Sequence, residues 1–449
     1  MEISPVPLNT PSADDFRRLE GVWRSRGYGM ILSIEPKRYT LYEETAVSCL
    51  PVHSGPLTEL ARRYEDLTVS THRQAFAVRR ATGVSRLGFY RIKALPETAA
   101  ATEQREQDDP EYNFEVFWHS FAEQYALFEL KNVNWEKLYR QLRPRVSSAT
   151  GPEELFATLT AMLHRLHDGH VRLHSPSAYY SAGAQPALYQ RLETELEATD
   201  DRREVSVYLG ELREWLHDLI HEEYLASQFR HGNHHLVEWG RLNPTTGYLH
   251  LRAMAGQSGA EGHPARDLAA VDALMPQVLA QLGQLPHLVV DLRGNGGGYD
   301  GVALRFAAYL IDRKRLAFTK SARWGERFTQ PQRVYVTPAQ SGTYGGELFL
   351  LTSELTASAA EIFVLSLLQR PGLTLIGEPT QGILSDTLER HLPNGWHLTL
   401  SNEIYRAFDG CHYEDAGIPP HIKLLFLERE GRVRERDPLL DRVLSMTGQ

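Results

Sequence analysis

The sequence predicts an α/β core with a mostly parallel sheet, preceded by a small antiparallel β domain and a helical segment. Three observations lead there. From about residue 236 onward, apolar strand-length runs alternate with helical ones, the pattern of parallel strands joined by crossover helices. Between Phe16 and Pro96 the runs are short and separated by Gly, Pro and charged turns, as in an antiparallel sheet. Between those regions Phe114, Phe117, Trp118, Phe121, Tyr125 and Phe128 recur at helical spacing and give one apolar face.

The 449 residues are enough for two or three domains, and 42% hydrophobic with 23% charged residues is the balance of a soluble globular chain. A net charge of -9 argues against a nucleic-acid binder, which needs a basic face. Met-Glu-Ile-Ser-Pro-Val-Pro at the start has neither a basic region nor an apolar one, so no signal peptide is read and a cytoplasmic protein is expected. No apolar run reaches the length of a membrane span, so no membrane partner is expected. Cys49 and Cys411 are too few for a disulfide framework or a Cys-rich zinc site.

Taken in order, residues 1–11 read as a Pro-rich loose arm and 12–96 as the β domain, a sandwich or barrel. Residues 97–111 read as a linker. Asp109-Pro110 then supplies an N-cap and a first-turn proline, opening a helical domain over 110–175. Its second helix starts at Gly151-Pro152 and is expected to bury Leu155, Phe156, Leu159, Met162, Leu163 and Leu166. Gly169 is expected to stop it, leaving His170 just beyond a helix C-terminus, where carbonyls favour an imidazolium. The polar stretch 176–235 reads as a helical insertion, 236–425 as the core and 426–449 as a tail helix.

The chemistry concentrates in the core. Strand Leu348–Leu351 runs into Thr-Ser-Glu-Leu-Thr-Ala-Ser358, and a helix over about 359–369 follows. A serine at that turn has its hydroxyl at the C-terminal edge of a sheet, beside the free N–H groups of a helix start. Such N–H groups can hold an oxyanion, so the position suits a nucleophile. Ser358-Ala-Ala-Glu361 is equally a capping box, and Glu361 is expected to cap the helix. A second turn, Asp291-Leu-Arg-Gly-Asn-Gly-Gly-Gly298, follows strand 287–292, and its glycines allow backbone N–H groups to converge on an anion. Gly296 to Gly301 also fits a dinucleotide fingerprint, but no acidic residue ends the next strand to grip a ribose. His164, His167 and His170 are spaced by three, yet no further ligand joins them, so no metal is assigned. His217 and His221 share a helix face without a His-Glu-x-x-His motif and read as solvated.

Asp291 to Gly298, Thr356-Ala-Ser-Ala-Ala-Glu-Ile362 and Gly377-Glu-Pro-Thr-Gln-Gly382, in that order, resemble the S41 family of serine peptidases. That is the C-terminal-processing peptidase and tricorn-core group. Further matches are Leu-His-Asp-Gly-His170 and Tyr413-Glu-Asp-Ala-Gly-Ile-Pro-Pro-His-Ile422. The resemblance covers about 110–175 and 236–425, with no stretch like the PDZ module many members carry. It implies a ClpP/crotonase-like core, Ser358 as nucleophile, and an oxyanion hole from N–H groups near Gly297 and of Ala359. Ile383 stands where the processing branch has its lysine, so the tricorn-like branch is the better fit. That branch implies His170 as base and Glu414 as its distant support. A serine precedes the histidine in that pattern, whereas here Gly169 does. Glu414 must then act directly or through water, or Asp168 must orient the ring. The expected activity is hydrolysis of peptides or unfolded segments through an acyl-enzyme, with no cofactor. A catalytically weak peptide-binding protein of the same fold is the alternative, and the oligomeric state is left open.

Overall fold

The computed structural model describes residues 2–3, 10–80, 83–199, 201–225, 228–260 and 262–448. The arm read over residues 1–11 therefore lies largely outside the described residues. The core sheet has seven strands in the order Phe229–Gly232, Val237–Arg241, Thr246–Leu251, His287–Asp291, Glu347–Thr352, Leu373–Gly377 and Ile422–Lys423. The first two junctions are antiparallel and the remaining four parallel. Alternation sorts its side chains between two faces. Leu288, Val290, Leu348, Leu350 and Leu375 pack under helices Pro264–Leu282, Asp300–Ala308 and Ala359–Leu367. Val289, Phe349, Leu351 and Ile376 face the opposite way.

That second face is covered by the segment read as an insertion. Helices Ala187–Ala198 and Val205–Leu219 lay Leu188, Leu192, Leu209, Leu212, Leu216 and Leu219 on it, and the last helix, Pro438–Met446, adds Leu439, Leu440 and Val443. The insertion thus closes the hydrophobic layer of the sheet.

The N-terminal strands form one antiparallel sheet ordered 49–56, 38–44, 30–34, 21–25, 86–92, 75–80 and 64–69. It is a single layer, where the sequence suggests a sandwich or barrel. Helices take the place of a second sheet: Trp23, Leu32, Phe76 and Phe89 share a core with Phe117, Phe121, Leu159 and Leu163 of helices Pro110–Gln124 and Pro152–Leu163. Asp109 caps the first of these, accepting from Glu111 N–H at 3.0 Å, as its sequence indicates.

Two local expectations give way. Part of the expected linker is a helix, Glu97–Gln104, whose Ala-rich sequence favours helix and whose Thr102 hydroxyl takes the Cys49 N–H at 3.0 Å. The helix expected to stop at Gly169 ends at Leu163, with His164 as its C-cap. The left-handed residue in the following turn is His167, at φ 47°, its carbonyl accepting from Lys131 Nζ at 2.9 Å. Close approach here constrains Gly183 instead: a Cβ on it would stand 3.0 Å from the Gly169 Cα.

One buried ion network locks the core to the tail. Arg293 donates through Nε to Asp291 and through Nη1 to Asp437 Oδ1 at 3.0 Å, and its Nη2 lies 2.6 Å from Asp291 and 2.8 Å from Asp437. Asp437 also caps Pro438–Met446 through the Leu439 N–H. Removing Asp437 leaves the buried Nη1 of Arg293 and the Leu439 N–H without their acceptor. Asp437→Ala should therefore cost about 3–5 kcal/mol in chemical denaturation, whereas Arg434→Ala at an exposed pair should cost below about 1 kcal/mol. Equal, small effects would contradict this role for Asp437.

Candidate active site

Between Thr356 and Leu367 the chain is buried except at Ser358, which stays partly exposed. Strand Glu347–Thr352 leads into the turn and helix Ala359–Leu367 leaves it. Ser358 has φ 54° and ψ -124°, a conformation that non-glycine residues rarely adopt and that costs on the order of 1–3 kcal/mol. It is the geometry of a strained strand-to-helix turn that pushes one hydroxyl outward above a sheet.

The Glu361 carboxylate holds this turn. Its Oε2 accepts the N–H of Ser358 at 3.0 Å and of Ile383 at 2.9 Å, while Oε1 accepts the Thr380 hydroxyl at 2.6 Å and the Gly382 N–H at 2.8 Å. Glu361 is thus more than a helix cap: it joins the serine turn to the loop after strand Leu373–Gly377. Burial pushes its carboxyl up to about 7, against the pull of these four hydrogen bonds.

The glycine turn is fastened to the same place. Ala357 N–H donates to the Asn295 carbonyl at 3.0 Å, and the Thr356 hydroxyl to the Leu292 carbonyl at 3.0 Å. Gly297 has φ 99°, and a Cβ there would fall 2.8 Å from the Cβ of Ser358 and 2.8 Å from the Ala359 nitrogen. The structure therefore brings Gly297, Ser358 and Ala359 together. The Gly297 N–H is itself engaged, donating to Asn295 Oδ1 at 2.9 Å. Ala359 opens its helix, where N–H groups lack intrahelical acceptors.

His170 approaches from the helical segment. A Cβ on Gly169 would meet Ile383 at 3.4 Å, and Ile383 is the residue whose N–H rests on Glu361. Strand Arg172–His174 pairs with His397–Ser401, and the Thr399 hydroxyl donates to the His170 carbonyl at 2.6 Å. His170 is buried, not at an open helix end. Burial lowers its pKa below the ordinary value, while Asp168 and Asp386 pull it upward. Among the described residues its buried Nδ1 has no hydrogen-bond partner.

Neither expected support touches the ring. Asp168 accepts the His170 backbone N–H at 2.9 Å through Oδ1 and the Tyr125 hydroxyl at 2.9 Å through Oδ2. Glu414 accepts the N–H of Leu384 at 3.1 Å and of Ser385 at 2.9 Å. It is buried, and burial with Asp168 and Glu361 nearby raises its pKa well above the carboxylate range. The Ser385 carbonyl in turn stands beside the imidazole and favours its protonated form. Among the described residues no hydrogen bond joins Ser358 to His170, as is common before substrate tightens a site.

No sequence pattern signals the charged group behind His170. Lys320 Nζ lies 2.8 Å from Glu403 and donates to the Tyr405 hydroxyl at 2.6 Å; Tyr405 donates to Asp300 at 3.0 Å. Asp386 stands with them, its carboxyl raised by burial, and Asp300 is pushed up to about 7 by burial. From the N-terminal sheet, the hydroxyls of Tyr28 and Ser85 both donate to Glu403. These residues come from distant stretches of chain, so no spacing rule links them.

Residues 245–424 match the family model of peptidase family S41, and residues 106–164 that of the Tricorn protease C1 domain. Residues 245–424, which hold the glycine turn and Ser358, thus form a peptidase family S41 domain. Among solved structures, a Parabacteroides merdae protein assigned as a peptidase is similar, with TM-score 0.61 and 22% identity over 76% of this chain and 98% of that one. Mature CPAF complexed with lactacystin is similar with TM-score 0.53 and 11% identity, over 76% of this chain and 98% of that one. At such identities the likeness establishes the fold.

If Glu361 holds the serine turn, Glu361→Gln should cost about 2 kcal/mol or more, because an amide NH2 would face buried N–H donors. Thermal denaturation reads this directly, and a change below about 0.5 kcal/mol would remove Glu361 from that role.

Proposed function

We propose that this protein is a serine peptidase in which Ser358 is the nucleophile and His170 the general base. The observation that carries the reading is the backbone of Ser358, left-handed at φ 54° and held by Glu361, with Gly297 packed against it. Strain of this kind is retained where the surrounding structure fixes it for function.

His170, neutral because it is buried, takes the Ser358 proton as Oγ attacks the scissile carbonyl. The oxyanion forms against the Ala359 N–H and the glycine turn, where the Gly297 N–H must be shared with or released by Asn295. The imidazolium then protonates the leaving amine, and water repeats the sequence to release the acid from Ser358. The Ser385 carbonyl stabilises the transient imidazolium. Glu414 is a positioning residue in this scheme, acting through the Leu384–Ser385 loop and filling the function that a serine before the histidine has in the tricorn-like pattern. The substrate is a peptide or an unfolded segment.

Ser358→Ala should abolish hydrolysis of a fluorogenic peptide library or of casein while leaving the fold intact. Equal turnover by wild type and variant would remove Ser358 as nucleophile. A folded wild-type protein that binds peptides without cleaving them would instead establish the weak, peptide-binding alternative.

The titration of His170 has a definite sign. Its pKa is lowered from 6.5 by burial. At pH below that folded value the ring carries a proton and cannot accept another. The kcat/KM of wild-type enzyme should therefore rise with pH through a midpoint below 6.5. An acid limb centred above about 7 would contradict a buried His170 as base.

A further inference from the structure

A second cluster lies on the other side of the glycine turn. His217 lies in the last turn of helix Val205–Leu219, and His221 sits in the π-helical turn Ile220–Tyr224 that follows. The sequence alone places both on a solvated face. Instead His221 is buried, its ring 3.8 Å from that of His217 and stacked on Phe229 at 3.7 Å, centroid to centroid. Both Nε2 atoms turn to the Glu238 carboxylate in strand Val237–Arg241, that of His217 3.3 Å from each oxygen and that of His221 3.4 Å from Oε2. One donor atom from each of the three residues can be chosen so that all lie within 4.8 Å of one another.

Those distances are long for hydrogen bonds between an imidazolium and a carboxylate, which close to about 2.7–2.9 Å. Elsewhere in this chain His53 Nε2 reaches Glu59 at 2.7 Å. They match a different geometry: ligand atoms bound at about 2.0–2.1 Å to one tetrahedral ion stand about 3.3–3.4 Å apart. The outer shell agrees. Asp218 Oδ1 lies 3.5 Å from His217 Nδ1, the side that leaves Nε2 free, and Arg252 Nη2 donates at 3.2 Å to each Glu238 oxygen. The π turn is a second sign, since such single turns concentrate at functional positions. The residues open onto a cavity of about 450 Å³, which leaves room for water as a fourth ligand. His250 Nδ1, 3.6 Å from Glu238 Oε2, borders the same cavity.

We propose that His217, His221 and Glu238 bind one divalent transition ion, with zinc the best fit to two imidazoles and a carboxylate. The ion would staple the segment over 176–235 to the core sheet. The same helix already reaches the glycine turn, where Arg213 Nη2 donates to the Gly294 carbonyl at 3.3 Å. None of these residues takes part in the Ser358 chemistry, so metal binding does not depend on peptidase activity.

The test uses the full chain, stripped with chelator and titrated with Co2+, whose visible d–d absorption reports tetrahedral coordination, and with Zn2+ in competition. Wild type should take up one Co2+ with a tetrahedral spectrum, and Zn2+ should displace it and raise Tm. His217→Asn, at a partly exposed position, should fold and lose affinity by about 100-fold or more, beyond what an outer-shell change costs. The double variant His234→Ala/His235→Ala, on a neighbouring exposed loop, should bind as wild type does. Absence of a tetrahedral spectrum in wild type would overturn the proposal. So would undiminished binding by His217→Asn, or loss of binding only in the loop variant.

Discussion

The geometry of this molecule turns on one buried carboxylate. Glu361 receives four hydrogen bonds, two to each oxygen, from the Ser358 turn and from the loop after strand Leu373–Gly377. Hydrogen bonds to an ionised acceptor are worth roughly 1.5–3 kcal/mol each, and a buried donor left without one costs a similar amount. A left-handed serine costs on the order of 1–3 kcal/mol, so this hub is large enough to hold it. The same carboxylate fixes Ile383, against which Gly169 packs, and so sets where His170 can stand.

Around that hub the fold supplies rigidity from both faces of one sheet. On one face the helix after Ser358 is wholly buried. On the other, Arg293 joins Asp291, at the start of the glycine turn, to Asp437 in the tail. The N-terminal sheet contributes too, since Tyr28 and Ser85 hydrogen-bond to Glu403 in the charged group behind His170. A module with no catalytic pattern of its own thereby helps to set the electrostatics near the imidazole. Burial raises the carboxyls of Glu361, Glu414, Asp300 and Asp386 together, a pattern that accumulates at functional sites.

What can be read from the sequence is local in origin. The strand–turn–helix at Ser358, the glycine turn and the Asp109 cap each depend on residues within a few positions of one another, and each stands where its pattern places it. The alternation of strands and helices likewise marks the parallel core. What cannot be read depends on partners far along the chain. Asp437 completes the Arg293 network from 144 residues away. Tyr28 reaches Glu403 across 375 residues. The family pattern makes Glu414 the support of the imidazole, yet its hydrogen bonds go to the Leu384 and Ser385 backbone, a choice that only the folded loop determines. The helix before His170 ends earlier than its glycine suggests, because the turn is made by His167, held by Lys131.

Whether the fold presents Ser358 as an activated nucleophile can be measured before any substrate is identified. The measurement is fluorophosphonate labelling of the purified, folded protein, followed by peptide mapping of the adduct. A single stoichiometric adduct on Ser358, formed more slowly in His170→Ala, is the expected result. A folded wild-type protein that takes up no label, or takes it up at another serine, would contradict the role of Ser358.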